Sequence, residues 1–223
     1  MHSCLYDAVL FDLDGTVSES HPGIIASARQ ALEEYGWPMP EDFDYKKFIG
    51  PPIVQSLMQY AGMPEKEAEN CLQLYRKYYN GGEIFHTAVY PGIPELMRQL
   101  KEDGVRVCLA TSKPQKMADK VAEHLGVFDL LSCLAGADAA DKESDKPGLI
   151  ARCLRETGVP KERAVMIGDT RFDAEGAAAA GIDFIGVLYG YGTKEEMASC
   201  GASVFAQSAG DLFSLLYAKG GRK

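Results

Sequence analysis

The chain has 223 residues, of which 46% are hydrophobic, and a formal net charge of −9 at pH 7. This length allows one large domain or two small ones, while the acidic balance without clustered Lys and Arg argues against a nucleic-acid partner. No apolar stretch reaches the roughly 20 residues of a membrane span, and the first residues lack a signal peptide's basic-then-apolar order, so we expect a cytoplasmic protein without a membrane partner.

The first predicted element is a buried strand at residues 8–11, followed directly by Asp12-Leu13-Asp14-Gly15-Thr16. Side chains at positions i and i+2 of an extended segment share a face, so Asp12 and Asp14 are expected to converge. Ligand sites of open α/β sheets lie at the carboxyl ends of strands, and the pair would suit a nucleophile beside an acid/base. On these five residues alone, a simple turn after a strand remains the plainer interpretation.

The next segment is helical. Apolar residues recur at helical spacing in three stripes, at residues 24–35, 54–61 and 68–79, each ending at a glycine. The aromatic part of the third stripe is most simply explained by core packing. An insertion directly after the first strand would rise over the carboxyl edge of the sheet, which predicts a lid with hinges at 17–20 and 83–90, beside Gly81 and Gly82.

From Tyr90 onward, helices and strands alternate, which is typical of parallel βαβ units. The predicted helices lie near residues 95–101, 116–125, 148–156 and 174–180, and the predicted strands at 106–111, 130–135, 164–168 and 184–188. We therefore predict an α/β fold with a Rossmann-like parallel sheet core and an inserted all-helical cap.

Polar side chains follow two further strands of this sheet. Thr111-Ser112-Lys113-Pro114 ends one, Gly168-Asp169-Thr170-Arg171-Phe172-Asp173 ends the other, and Lys146 stands between them before a helical pattern. Each has a structural interpretation when taken singly, as an N-cap, a turn residue or a solvated charge. The order of these motifs along the chain, and their positions at the ends of predicted strands, favour one shared site.

These motifs, in this order, resemble the haloacid dehalogenase superfamily of aspartate-nucleophile phosphohydrolases over nearly the whole chain. The resemblance implies that Asp12 is the nucleophile, Asp14 the general acid/base and Lys146 a charge-neutralising cation. It further implies catalytic roles for Thr111 and Lys146, and phosphate binding by Thr111, Ser112 and Lys146. The implied magnesium site is formed by Asp12, Asp14, Asp169 and Asp173. The core domain would comprise residues 1–16 and 87–223, and the cap residues 17–86.

Further segments are similar to the phosphoglycolate phosphatase branch of that superfamily. They are Phe48-Ile49-Gly50-Pro51-Pro52, Val89-Tyr90-Pro91-Gly92-Ile93, Thr111-Ser112-Lys113-Pro114 and Tyr189-Gly190-Tyr191-Gly192. The expected activity is therefore Mg²⁺-dependent hydrolysis of a small phosphorylated metabolite through an aspartyl-phosphate intermediate. A charge count supports the ion, because four carboxylates and one lysine would otherwise repel a phosphate dianion.

Several alternatives stay open on the sequence. A 5'-nucleotidase or a pyrophosphatase of the same family would use the same core residues. A sugar phosphomutase would need a second phosphate anchor, and no Arg or Lys follows Gly50 in the lid loop. A catalytically silent binding module would not need every charged motif residue. The substrate and the choice between monomer and homodimer are left undetermined.

Overall fold

The computed structural model describes residues 4–49, 53–138 and 144–217. In chain order, its strands and helices are β1 Ala8–Phe11, β2 Ser18–Glu19, α1 His21–Tyr35, α2 Ile53–Tyr60, α3 Glu65–Gly81, β3 Ala88–Val89, α4 Ile93–Glu102, β4 Arg106–Pro114, α5 Gln115–His124, β5 Cys133–Ala137, α6 Lys146–Thr157, β6 Ala164–Gly168, α7 Arg171–Ala180, β7 Asp183–Val187, α8 Lys194–Ser199, β8 Phe205–Ala206 and α9 Ala209–Leu216. Short 3₁₀ helices lie at Tyr45–Phe48, Glu83–Phe85, Phe128–Leu130 and Lys161–Arg163.

Within the described residues, six strands form one parallel sheet in the order β5-β4-β1-β6-β7-β8. Strand β1 is central, and its four residues are fully buried, as are the apolar residues of β6. Strands covered on both faces are expected to be continuously apolar, which is the pattern seen in their sequences. Because β4 and β6 flank β1, the residues after these three strands meet at one edge of the sheet.

The chain divides into two compact units, residues 1–18 with 89–223 and residues 19–88. The first unit contains the parallel sheet. The second is helical, with α1 and α2 both packed on α3. The stacked rings of Tyr75 and Tyr79 are each only 8% exposed, which supports the packing interpretation of the aromatic stripe. Parallel sheet and helical insertion together confirm the predicted α/β fold class.

Several predicted boundaries were wrong. The strand expected at 130–135 begins at Cys133, because residues 128–130 form a 3₁₀ turn and the pairing of Cys108 with Cys133 sets the register. The same strand continues to Ala137, two residues beyond the predicted end at 135. The helix expected at 148 begins at Lys146, since the Asp145 side chain caps it by accepting from Gly148 N at 3.0 Å.

Residues 50–52, which include Gly50 of the expected lid loop, and residues 139–143 lie outside the described residues. Among the helices that the structure does describe, none combines the length and apolar character needed to cross a membrane.

Candidate active site

Three buried carboxylates meet at the carboxyl edge of the sheet. Asp12 follows β1, and its backbone N–H donates to Ile167 O of β6 at 2.9 Å, which extends the ladder. Asp169 follows β6, and Asp173 lies in the first turn of α7. One oxygen from each carboxylate lies within 4.8 Å of the others, and the three residues are 8%, 0% and 1% exposed.

Lys146 is the cation of this cluster. Its Nζ lies 2.7 Å from Asp12 Oδ1 and 2.8 Å from Asp173 Oδ1, and it donates to Ala110 O at 3.0 Å. The side chain reaches the cluster past α7, where a Cβ at Gly176 would lie 2.3 Å from Lys146 Cγ. Gly176 therefore provides the space through which the buried lysine passes.

Burial shapes the electrostatics of the cluster. It raises the pKa of Asp12 to about 7, although the Lys146 ammonium opposes the shift. Burial, followed by the neighbouring carboxylates of Asp173 and Asp12, also raises the pKa of Asp169. Burial disfavours the charged form of Lys146, but Asp12 and Asp173 outweigh it and hold the Lys146 pKa above its usual value.

The donor set fits a divalent, oxygen-loving cation. When all three carboxylates are ionised, the one ammonium leaves two negative charges uncompensated in a buried space. Mg²⁺ is held in proteins by carboxylate oxygens in acidic sites of this kind. Asp12, Asp169 and Asp173 are the residues that would hold it.

Asp14 lies outside this carboxylate cluster. Its side chain is paired with Lys113, whose Nζ lies 2.8 Å from Oδ2 and 3.1 Å from Oδ1. The Lys113 side chain is only 6% exposed, against 24% for Asp14. Asp14 therefore faces a second, separate cation, and its carboxylate is not among the grouped metal-ligand oxygens.

Thr111 and Ser112, the expected phosphate-binding residues, have different environments. Thr111 is 1% exposed, and its Oγ1 accepts from Lys113 N at 3.2 Å. Ser112 is exposed in the irregular part of β4, where the pairing with β5 shifts register between Thr111 and Pro114. Both residues lie near the end of β4, which pairs with β1, at the same edge of the sheet as Asp12.

Sequence reasoning missed three contacts within the site. Lys113 belongs to the Thr111-Ser112-Lys113-Pro114 motif, but no role was predicted for it and only Lys146 was counted as a cation. Thr16 Oγ1 donates to Asp169 Oδ1 at 3.1 Å, and Tyr191 N donates to Asp169 Oδ2 at 2.8 Å. The sequence did contain a signal for Lys113. Side chains two residues apart in a strand share a face, so Lys113 could have been predicted to lie on the same side as Thr111.

Comparison with known proteins identifies the family. The sequence profile described as haloacid dehalogenase-like hydrolase matches residues 9–187, which include all four aspartates of the site, Thr111, Lys113 and Lys146. The chain belongs to this family. The resemblance predicted from the motifs is thereby confirmed, and with it the assignment to a family of hydrolases that includes phosphatases.

Among curated relatives, a 5'-nucleotidase of Pseudomonas aeruginosa is 34% identical over 86% of this chain and 87% of its own. The tyrosine-protein kinase PtkA of Mycobacterium tuberculosis is also 34% identical, over 90% of this chain and 68% of its own. A phosphoglycolate phosphatase of Pseudomonas savastanoi is 28% identical, over 82% and 70%.

Among solved structures, a putative phosphatase from Clostridium difficile has a TM-score of 0.85 and 31% identity, covering 95% of this chain and 98% of that one. This neighbour supports the phosphatase assignment and the fold together.

Proposed function

We propose that this protein is a Mg²⁺-dependent phosphatase that hydrolyses a small phosphorylated metabolite through a phosphorylated Asp12. One observation carries the proposal. The Asp12 carboxylate lies at the end of the central strand, 2.7 Å from the buried Lys146 and grouped with Asp169 and Asp173. A nucleophile, a fixed cation and a set of hard ligands therefore share one point.

In the first step, an Asp12 oxygen attacks phosphorus, and the ester oxygen leaves as an alcohol after taking a proton from Asp14. Lys146 and Thr111 stabilise the phosphoryl oxygens on which negative charge is spread. A bound Mg²⁺ would add positive charge beside those same oxygens.

In the second step, water attacks phosphorus of the phosphorylated Asp12, and Asp14 accepts the water's proton. The Asp12 carboxylate is then restored and inorganic phosphate is released. Lys113 contacts both oxygens of the Asp14 carboxylate, and so orients the ionised group that accepts the water's proton.

The remaining candidate substrates differ in the group that leaves from phosphorus. The 5'-nucleotidase relative favours a nucleoside monophosphate, and the phosphoglycolate phosphatase relative favours a short carboxylate-bearing ester. We propose phosphoglycolate-like substrates first, because several motifs of the chain are similar to that branch. A panel of 2-phosphoglycolate, nucleoside monophosphates, pyrophosphate and sugar phosphates, assayed with Mg²⁺ for released phosphate, tests the choice.

The same panel separates the other functions. A phosphomutase would isomerise a sugar phosphate without releasing phosphate. Because one relative is named a tyrosine kinase, a further reaction should contain ATP and a tyrosine peptide. Phosphate release from a small ester supports the phosphatase proposal. Peptide phosphorylation or isomerisation without release of phosphate, or no turnover of any substrate, would refute it.

We further propose that the helical unit, residues 19–88, is a lid that controls substrate access, with hinges at residues 17–20 and 83–90, beside Gly81 and Gly82. Gly82 has φ +150°, and a Cβ at Gly81 or Gly82 would meet no atom within 4 Å. A Gly81→Val, Gly82→Val pair would meet no neighbouring atom, but valine rarely adopts the backbone conformation of Gly82, so the pair forces this segment into another conformation. We expect a lower kcat together with a higher KM in steady-state assays. Unchanged kinetics would indicate an ordinary loop.

Metal removal should change stability in a pH-dependent way. Because the folded-state pKa of Asp12 is raised to about 7, the folded protein retains a proton that the unfolded chain has released, so this group makes stability fall as pH rises from about 4 to about 7. Mg²⁺ binds the ionised carboxylates and offsets that loss. The gain in Tm on adding Mg²⁺ over EDTA should therefore be larger at pH about 8 than at pH about 5.

Thermal denaturation at matched ionic strength measures both gains. Asp169→Asn is the control variant, since it removes one ligand and should lose most of the Mg²⁺-dependent gain. Equal gains at both pH values, or an undiminished gain in the variant, would contradict a metal site at this cluster.

A further inference from the structure

The Tyr189-Gly190-Tyr191-Gly192 segment has no part in the reaction just described, yet it contacts two of the loops that build the site. It follows β7. The Tyr189 hydroxyl donates to Thr16 O at 3.0 Å, and Tyr191 N donates to Asp169 Oδ2 at 2.8 Å. The segment therefore joins the turn after β1 to the turn after β6.

The two glycines bring the backbone into direct contact with both turns. A Cβ at Gly190 would lie 2.3 Å from Asp169 Cβ and 2.4 Å from Gly15 O. A Cβ at Gly192 would lie 2.2 Å from Asp169 O. Any larger residue would displace backbone atoms of the site, so the close approach requires glycine at both positions.

The turn after β1 is held from more than one side. The Tyr189 ring packs against Tyr90, with 4.7 Å between ring centroids, and Tyr90 N donates to Val17 O at 3.0 Å. Thr16 Oγ1 donates to Asp169 Oδ1. These contacts hold residues 15–17, and residues 15–17 follow directly after Asp14.

Asp12 and Asp14 depend on this support to different degrees. The backbone of Asp12 is fixed by the sheet itself, through its hydrogen bond to Ile167 O. Asp14 lies beyond the strand, in the turn whose carbonyl at Thr16 receives the Tyr189 hydroxyl. Loss of that hydroxyl would loosen the turn and leave the strand in place.

We propose that Tyr189 is a positioning residue, whose hydroxyl fixes the turn of residues 14–17 and so holds Asp14 in register with Asp12 for proton transfer. The kinetic part of this inference rests on the proposed phosphatase function. Its structural part, that Tyr189 restrains the turn, does not.

The test compares Tyr189→Phe with Tyr217→Phe. Each variant loses one hydroxyl hydrogen bond and keeps its ring, and the Tyr217 hydroxyl donates to Asp103 Oδ2 at 2.6 Å, at the opposite end of the strands from Thr111. Hydrogen–deuterium exchange of a peptide covering residues 13–18 is measured first. We expect faster exchange in Tyr189→Phe and wild-type exchange in Tyr217→Phe.

Kinetic measurements then distinguish a misplaced Asp14 from a general loss of active-site structure. In Tyr189→Phe, kcat for an alkyl phosphate should fall about tenfold with KM within about twofold, because Asp14 is present but misplaced. The initial burst of p-nitrophenol from p-nitrophenyl phosphate needs little protonation and should keep its rate. Gly190→Ala, whose Cβ would press on Asp169 and Gly15, should slow both substrates and weaken Mg²⁺ activation.

The outcomes are decisive in either direction. Unchanged exchange in Tyr189→Phe, or equal losses for the alkyl and aryl substrates, would overturn the proposal. A wild-type protein without phosphatase activity would instead overturn the proposed function, and the exchange comparison would still decide whether Tyr189 holds the turn.

Discussion

Asp12→Asn is expected to abolish turnover, with a loss of roughly four orders of magnitude or more in kcat. An amide is a poor nucleophile, and the change also removes one of the three grouped metal-ligand carboxylates. No phosphorylated protein should appear by intact mass after rapid mixing with p-nitrophenyl phosphate. The fold should survive, because Asp12 follows the last core residue of β1 and Lys146 keeps its contact with Asp173 at 2.8 Å.

The matched control is Asp7→Asn, at the other end of the same strand. Asp7 forms an exposed ion pair with Arg163 at 2.7 Å, which contributes little to stability because solvent screens it. This variant should keep wild-type activity. Appreciable turnover by a folded Asp12→Asn protein, free of wild-type enzyme, would rule out Asp12 as the nucleophile.

The sequence predicted the parts of the site that follow from chain order. Asp12, Asp169 and Asp173 come after apolar runs, and parallel strands bring their carboxyl ends to one edge. The position of Lys146 between the two motifs was predicted, but the helix that starts at this lysine, with Asp145 as its cap, was not. The order of strands and polar motifs along the chain was therefore sufficient to predict that Asp12, Asp169 and Asp173 lie close together.

What the sequence did not reveal depends on contacts distant along the chain. The pairing of Lys113 with Asp14 spans 99 positions, and the bond from Tyr189 to Thr16 spans 173. Neither follows from periodicity or capping. The strand β5 was misplaced for a related reason, because its start is set by pairing with β4 rather than by its own hydrophobic run.

Asp14→Asn is expected to act differently on two kinds of substrate, because Asp14 has two tasks. With an unactivated alkyl phosphate the leaving alkoxide needs a proton, so turnover should fall by about 10²- to 10⁴-fold, and no phosphorylated protein should accumulate. With p-nitrophenyl phosphate the leaving group needs little protonation. Asp12 should still be phosphorylated, while the second step lacks its base.

The phosphorylated protein should therefore accumulate only with the aryl ester. Rapid quench followed by intact mass detects the added phosphoryl group, and Asp12→Asn serves as the negative control for its site. The amide that Asp14→Asn introduces keeps one oxygen that can accept from Lys113, while its NH2 group replaces the other acceptor, so the variant loses the ion pair as well as the proton transfer. Equal slowing of both substrates without a trapped intermediate would make Asp14 a structural residue, because a group that transfers protons must affect the two leaving groups unequally.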